Sequence, residues 1–156
     1  MPLDLEVQRV STSMDIPDDE QFQIWVNAAL AGTKDNGTLV IRIVDEQEAR
    51  CLNRDFRSKD YATNVLSFSA DLPEGLPDEF RQSQLGDLVI CAPVVVSEAR
   101  EQFRSDVDHW AHLTVHGVLH LLGYDHEKAE EAGIMESLEI EILAKLGISD
   151  PYLHLG

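Results

Sequence analysis

Cysteine is scarce in this chain: Cys51 and Cys91 are its two cysteines, forty positions apart and without a CxxC spacing. That excludes a disulfide framework and a cysteine-based metal or redox motif, and both thiols are expected reduced and largely buried. Basic residues are also few, 12 Lys and Arg against 29 Asp and Glu, for a net charge of −17. A general electrostatic grip on nucleic acid needs a basic surface and is not expected. Long apolar runs are missing too. Each is cut by a charge or a histidine well short of the roughly 20 residues a membrane helix needs, and the opening MPLDLEVQRV carries acids where a secretory signal would not. The expectation is a soluble, cytoplasmic protein with no membrane partner. Repeats and low-complexity tracts are absent, and 156 residues with 44% hydrophobic content suit one domain over 1–156 with a single core.

The patterning that is present predicts an α+β domain. LDLEV at 3–7 alternates as a half-buried strand does, and TLVIRIV at 38–44 is a β-branched strand. Between them, acids at 18–20 open a helix carrying Phe22, Trp25, Val26, Ala29 and Leu30 on one stripe, which Gly32 can end. Asp45 and Glu48 have capping-box spacing for a helix that turns Ala49, Leu52 and Phe56 inward. NVLSF at 64–68 and DLVICA at 87–92 are the remaining strands, separated by a Pro- and Gly-containing surface loop over 70–84. Pro93 at a first helical position opens a helix to about Phe103. Ser105 or Asp106 caps the next, which stops at Gly123. A last helix over about 127–146 turns Met135, Leu138, Ile142 and Leu146 inward, with Gly133 a candidate break. One mixed four-stranded sheet packed with about five helices accommodates this order.

Against these scarcities one concentration stands out. The chain has six histidines, and three fall in HGVLHLLGYDH at 116–126. On a helix His116 and His120 stand 40° and one turn apart, so both imidazoles can point at one ion. A third ligand comes from elsewhere. His112 shares the face but lies about 12 Å along the axis from His120, too far for zinc–nitrogen bonds of about 2.0–2.1 Å at both ends. His126 follows Gly123, whose freedom at positive φ lets the chain turn back, and is the better ligand. Three imidazoles favour zinc, one ion per chain, on the central helix and the turn after it. With three ligands evident, a fourth position open to water is the mark of a catalytic zinc. Metzincin proteases use the same histidine spacing, but their general base is a glutamate after the first histidine, where this chain has Gly117. His109 and His112 fall on the same helical arc; His112 reads as a satisfied core histidine or as a partner that orients a ligand ring, the role of His109 stays open, and Asp125 either orients a ligand or finishes the turn. A second concentration, Arg50, Arg54, Arg57 and Lys59, gathers a third of the basic residues into ten positions, by itself the pattern of a solvated helix face.

RSKDYATNVLSF at 57–68, LGDLVICA at 85–92 and HWAHLTVHGVLHLLGYDH at 109–126 resemble the YbeY family of bacterial ribosomal RNA maturation endoribonucleases, and the likeness runs on through DPY at 150–152. The resemblance implies that His116, His120 and His126 are zinc ligands and that His116 and Arg57 are catalytic. It further implies cleavage of single-stranded RNA, 16S rRNA 3′ end processing, small-subunit biogenesis and ribosome quality control. Ribosomal RNA would be the substrate; small-subunit ribosomal proteins and an assembly GTPase are the implied partners. Ser69 stands where the family pattern usually has proline, which affects the loop's shape and removes no ligand. In this frame Arg57, placed just past a helix, supplies a fork matching phosphate geometry, and the metal's own water is the base left in the absence of a glutamate at 117. Two other readings keep the histidines: a metallopeptidase with its base elsewhere, and a non-catalytic ribosome-assembly factor with a structural metal, which the acidic balance favours.

Overall fold

Alternation in the strands decides which side of the sheet each residue serves, and the sheet in turn decides where the histidine helix can lie. The computed structural model describes residues 4–13, 15–31, 37–69, 84–124 and 128–152. Four strands, β1 (Asp4–Arg9), β2 (Thr38–Val44), β3 (Val65–Ser69) and β4 (Gln84–Cys91), form one mixed sheet in the order β1-β2-β4-β3. The first three of that order are parallel, with Val7 opposite Ile41 and Ile41 opposite Leu88. β3 closes the edge antiparallel, Val65 opposite Ile90 and Ser69 opposite Gly86.

The described helices are α1 (Asp19–Leu30), α2 (Glu46–Arg57), α3 (Ala92–Glu101), α4 (Asp106–Leu121) and α5 (Ala129–Lys145). Leu39, Ile41, Ile43, Leu88 and Ile90 point to one face, where they meet Phe22, Trp25 and Val26 of α1 and Trp110, Val115 and Val118 of α4. Phe22 stands edge-on to Trp110 with centroids 5.9 Å apart. Met135 and Leu143 bring α5 onto the outside of that cluster. The opposite face buries Val44, Leu66, Val89 and Cys91 against Ala49 and Leu52 of α2. The α+β sheet-and-helix domain expected from the sequence is the one observed. Both cysteines are free thiols, Cys91 buried and Cys51 half-buried.

Gly117 explains how close α4 lies to the sheet. A Cβ built there would come 2.8 Å from Leu88 Cδ2 and 3.3 Å from Val65 Cγ2, so only hydrogen fits against the strands. Ser105 caps α4 through its Oγ, which accepts from the Asp108 N–H. Gly123 takes φ 103° after the helix, as the turn required.

Several local expectations need correction. Asp45 stands at the α2 N-cap, but its carboxylate accepts from Ser11 and Thr12 rather than capping, and Glu48 pairs with Arg42. Neighbouring strand-end donors outcompete the capping box. The working capping box is Asp18 with Gln21, on α1. Phe56 is 63% exposed, because the buried stripe of α2 runs through Ala49 and Asn53 and rotates Phe56 to the rim, edge-on to Phe68. Pro93 is the second residue of α3, not the first. Gly133 does not break α5; it is exposed, with nothing within 4 Å of a built Cβ, and the helix passes through it. Gly32 and nearly all of the 70–84 loop lie outside the described residues. No helix among the described residues is long and apolar enough to cross a membrane.

Candidate metal and RNA site

α4 carries His109, His112, His116 and His120 along one side, and each meets a different environment. The rings of His116 and His120 lie 4.7 Å apart, centroid to centroid, and both face a cleft of about 720 Å³. His112 sits one turn earlier, its ring 6.3 Å from that of His116, and turns away from the cleft toward α5. The sequence reading of His112 as a satisfied histidine therefore matches its contacts.

What satisfies it is a carboxylate that sequence reasoning missed. Glu139, on α5, has no exposed surface. One of its oxygens accepts from His116 Nδ1–H; the other accepts from the Tyr152 hydroxyl and, at 3.3 Å, from His112 Nε2. Burial alone would raise the pKa of this acid, but the hydrogen bonds from His112, His116 and Tyr152 hold it down at about 2. Burial, and after it the hydrogen bond to the Glu139 carboxylate, push the Tyr152 phenol well above its ordinary range. Burial lowers the pKa of His112, so this ring is neutral. Glu139 was legible in one respect: it occupies the inward stripe of α5 between Met135 and Leu143, where an acid needs partners.

The network continues away from the cleft. Arg104 Nη1 lies 3.3 Å from His112 Nδ1 and 3.1 Å from His109 Nδ1, so a cation donates to both rings. His109 Nε2 in turn reaches Glu98 Oε1 at 2.9 Å, and Asn64 Nδ2 donates to the same oxygen at 3.0 Å. Donation from Arg104 to Nδ1 sets both His109 and His112 as Nε2–H tautomers, whereas Glu139 sets His116 as Nδ1–H. Of the three, His116 alone has Nε2 as its basic nitrogen.

Arg57 is the last residue of α2, not the first of the loop as the sequence suggested; Ser58 follows it as a left-handed C-cap with φ 59°. Its Nη2 donates to Ser67 O at 2.7 Å, and its guanidinium carbon lies 5.4 Å from the centroid of the Phe68 ring. Ser67 Oγ donates to Gly117 O at 3.2 Å, which ties the strand holding Arg57 to the residue after His116. Arg57 and His116 thus line the same cleft, together with His120 and Lys59. The other two cations of the cluster are occupied: Arg50 makes a two-point pair with Asp60 at 2.8 and 3.0 Å, and Arg54 pairs with Asp55 at 3.2 Å.

His126 and Asp125 lie outside the described residues. Among the described residues, no group of three or more His, Cys, Asp or Glu is arranged to hold a metal ion. His116 and His120 are the two expected ligands that the structure describes, and they share one cleft.

The family described as Endoribonuclease YbeY matches residues 6–147. A protein of that name from Alkalilimnicola ehrlichii is 58% identical over 153 residues, covering 96% of this chain and 91% of the relative. Another, from Xanthomonas axonopodis pv. citri, is 57% identical over 150 residues, covering 96% and 93%. In fold the chain is similar to the solution structure of a Thermotoga maritima protein, at TM-score 0.56 and 22% identity, over 94% of this chain and 99% of that one.

Proposed function

The chain belongs to the YbeY endoribonuclease family, and from that premise we propose that it is a zinc-dependent endoribonuclease. Its substrate in this reading is single-stranded ribosomal RNA, cut during 16S 3′ end maturation and ribosome quality control in the cytoplasm. The observation that carries the reading is the meeting of Arg57 with His116 and His120 on one cleft, from parts of the chain almost sixty positions apart.

The donor set fits zinc. His116 and His120 are imidazoles one turn apart, and the hydrogen bond from Nδ1 to Glu139 orients His116 and makes its Nε2 basic. His126 is proposed as the third ligand, one ion per chain. Zinc held there would supply Lewis acidity to phosphoryl transfer.

The chain's own residues do the rest. Arg57 is aimed by Ser67 O and the Phe68 ring, so its fork is already directed when a phosphate arrives. Lys59 adds a point charge on the same wall. Glu139 keeps His116 from rotating. Gly117 cannot serve as the position of a peptidase base, because a side chain there would run into Leu88 on the sheet. With a net charge of −17, the protein is proposed to reach its RNA through small-subunit ribosomal proteins or an assembly GTPase rather than by its own surface.

The test is metal analysis together with cleavage of a single-stranded RNA by protein freed of contaminating nucleases, beside His116→Ala. Cleavage by the wild type and none by the variant supports the reading. Equal cleavage by both assigns the activity to a contaminant and favours the assembly-factor alternative.

A further inference from the structure

Tyr61 is a large aromatic side chain left 53% exposed on the wall of the cleft that holds Arg57 and His116. Its backbone is not loose. Asn53, 3% exposed on α2, donates through Nδ2 to Tyr61 O at 2.9 Å, and the backbone O of Asn53 accepts from Lys59 N at 3.2 Å. A buried amide thus pins the loop while leaving the ring at the surface. Phe56, more exposed at 63%, rests edge-on against Phe68 and does not line the cleft.

An exposed tyrosine on a pinned loop offers a flat face with little conformational freedom to lose. Its neighbours on the wall are Arg57 and Lys59, for neither of which the described residues provide an ion-pair partner, in a chain that is otherwise strongly acidic. A stacking face beside cations is the arrangement that holds single-stranded nucleic acid: the base lies on the ring and its phosphate on the guanidinium. We propose that Tyr61 is a base-stacking subsite, taking a nucleobase next to the phosphate that Arg57 engages. The proposal rests on the endoribonuclease reading and adds to it a reason for single-strand preference, since a base paired in a duplex cannot present its face to a side chain.

The probe is a fluorescein-labelled single-stranded 2′-O-methyl oligonucleotide, bound to the full-length, metal-loaded protein at one salt concentration. A second set of strands carries one abasic position, moved along the sequence. Tyr61→Ala should weaken binding about tenfold, while Tyr61→Phe and Tyr61→Trp stay within about threefold of wild type. At one abasic position the wild type should weaken by a similar factor, and Tyr61→Ala should lose nothing further there. Zinc content and melting temperature should be the same in all the Tyr61 variants. The subsite is overturned if Tyr61→Ala binds like wild type while Arg57→Ala is weakened. Equal weakness of Tyr61→Phe and Tyr61→Ala also overturns it, since the hydroxyl rather than the ring would then be the contact. If neither Arg57→Ala nor Tyr61→Ala changes binding, the nucleic-acid reading of the whole cleft fails, and the subsite with it.

Discussion

Glu139, a carboxylate with no exposed surface, accepts the Nδ1–H of His116, a cleft histidine twenty-three positions earlier in the chain. The contact joins α5 to α4 and determines which nitrogen of His116 is basic. Tyr152 and His112 take up the carboxylate's second oxygen, so the anion is fully enclosed by donors. Such a carboxylate raises the basicity of a ligand imidazole and holds its ring in place.

Replacing Glu139 by Gln should therefore reach the proposed zinc site without removing a proposed ligand. An amide cannot accept from three donors with both of its polar atoms, since its nitrogen is itself a donor. Zinc affinity, measured by competition with a chromophoric chelator, should fall about 10- to 100-fold. Tyr152→Phe removes one donor and leaves His116 served, so its loss should be smaller. Unchanged affinity in Glu139→Gln would mean that His116 is not a ligand or is held by something else.

Acid should unfold the protein through the same group. The Glu139 pKa falls from 4.5 to about 2 on folding, so its contribution is full above about 4.5 and is lost as pH falls toward 2. At about 1.4 kcal/mol per unit this is on the order of 3 kcal/mol. His112 acts in the same direction: its pKa is lowered by burial, so below 6.5 the unfolded state gains a proton that the folded one resists. Urea unfolding with chelator present should show wild type well above Glu139→Gln at pH 7, with the gap narrowing below about pH 4.5 and closing only as pH falls to about 2. A gap of the same size at pH 7 and at about pH 2 would assign the effect to packing.

Gly117 makes a prediction about space. An Ala Cβ would sit 2.8 Å from Leu88 Cδ2, a fully buried side chain, and overpacking of this kind costs about 1–3 kcal/mol. Gly117→Ala should melt several degrees below wild type. The same substitution made on a Leu88→Ala background should cost much less, because the opposing methyls are gone. Gly117→Glu should destabilise further and gain no peptidase activity, measured on a casein substrate.

How much of this was legible in the sequence follows from the range of the interactions involved. The elements came from local periodicity, and the mixed sheet followed from their order. His116 and His120 came from helical spacing, which is also local, and Ser105 and Gly123 from cap chemistry. Glu139 and Tyr152 escaped because their meaning lies in contacts with His112 and His116, more than twenty positions earlier, although an acid between Met135 and Leu143 on a buried stripe was a usable signal. Phe56 was misplaced because inward Ala49 is followed one turn later by Asn53, a polar residue buried to hold the Tyr61 loop. Periodicity of apolar residues does not register a buried amide. Arg57 was singled out by family resemblance and not by charge spacing; the structure supplies the physical distinction, since Arg50 and Arg54 have acidic partners and Arg57 has a carbonyl and an aromatic ring.

That distinction makes the basic cluster separable by experiment. Arg57→Ala should keep its zinc and its fold, because the side chain is exposed at the end of α2 and gives up one hydrogen bond to Ser67 O. Cleavage of single-stranded RNA should nevertheless fall about a hundredfold or more, the loss usual when one stabiliser of transition-state charge is removed. Arg57→Lys should recover part of it, since an ammonium supplies charge but not a planar fork. Arg50→Ala breaks an exposed pair with Asp60 and should change the rate by less than about threefold, acting through salt-sensitive binding. Zinc content, melting temperature and cleavage rate of the three variants at one salt concentration decide the matter. If Arg57→Ala cuts RNA as fast as wild type, the cleft does not use this cation on its substrate, and the non-catalytic assembly-factor reading becomes the stronger one.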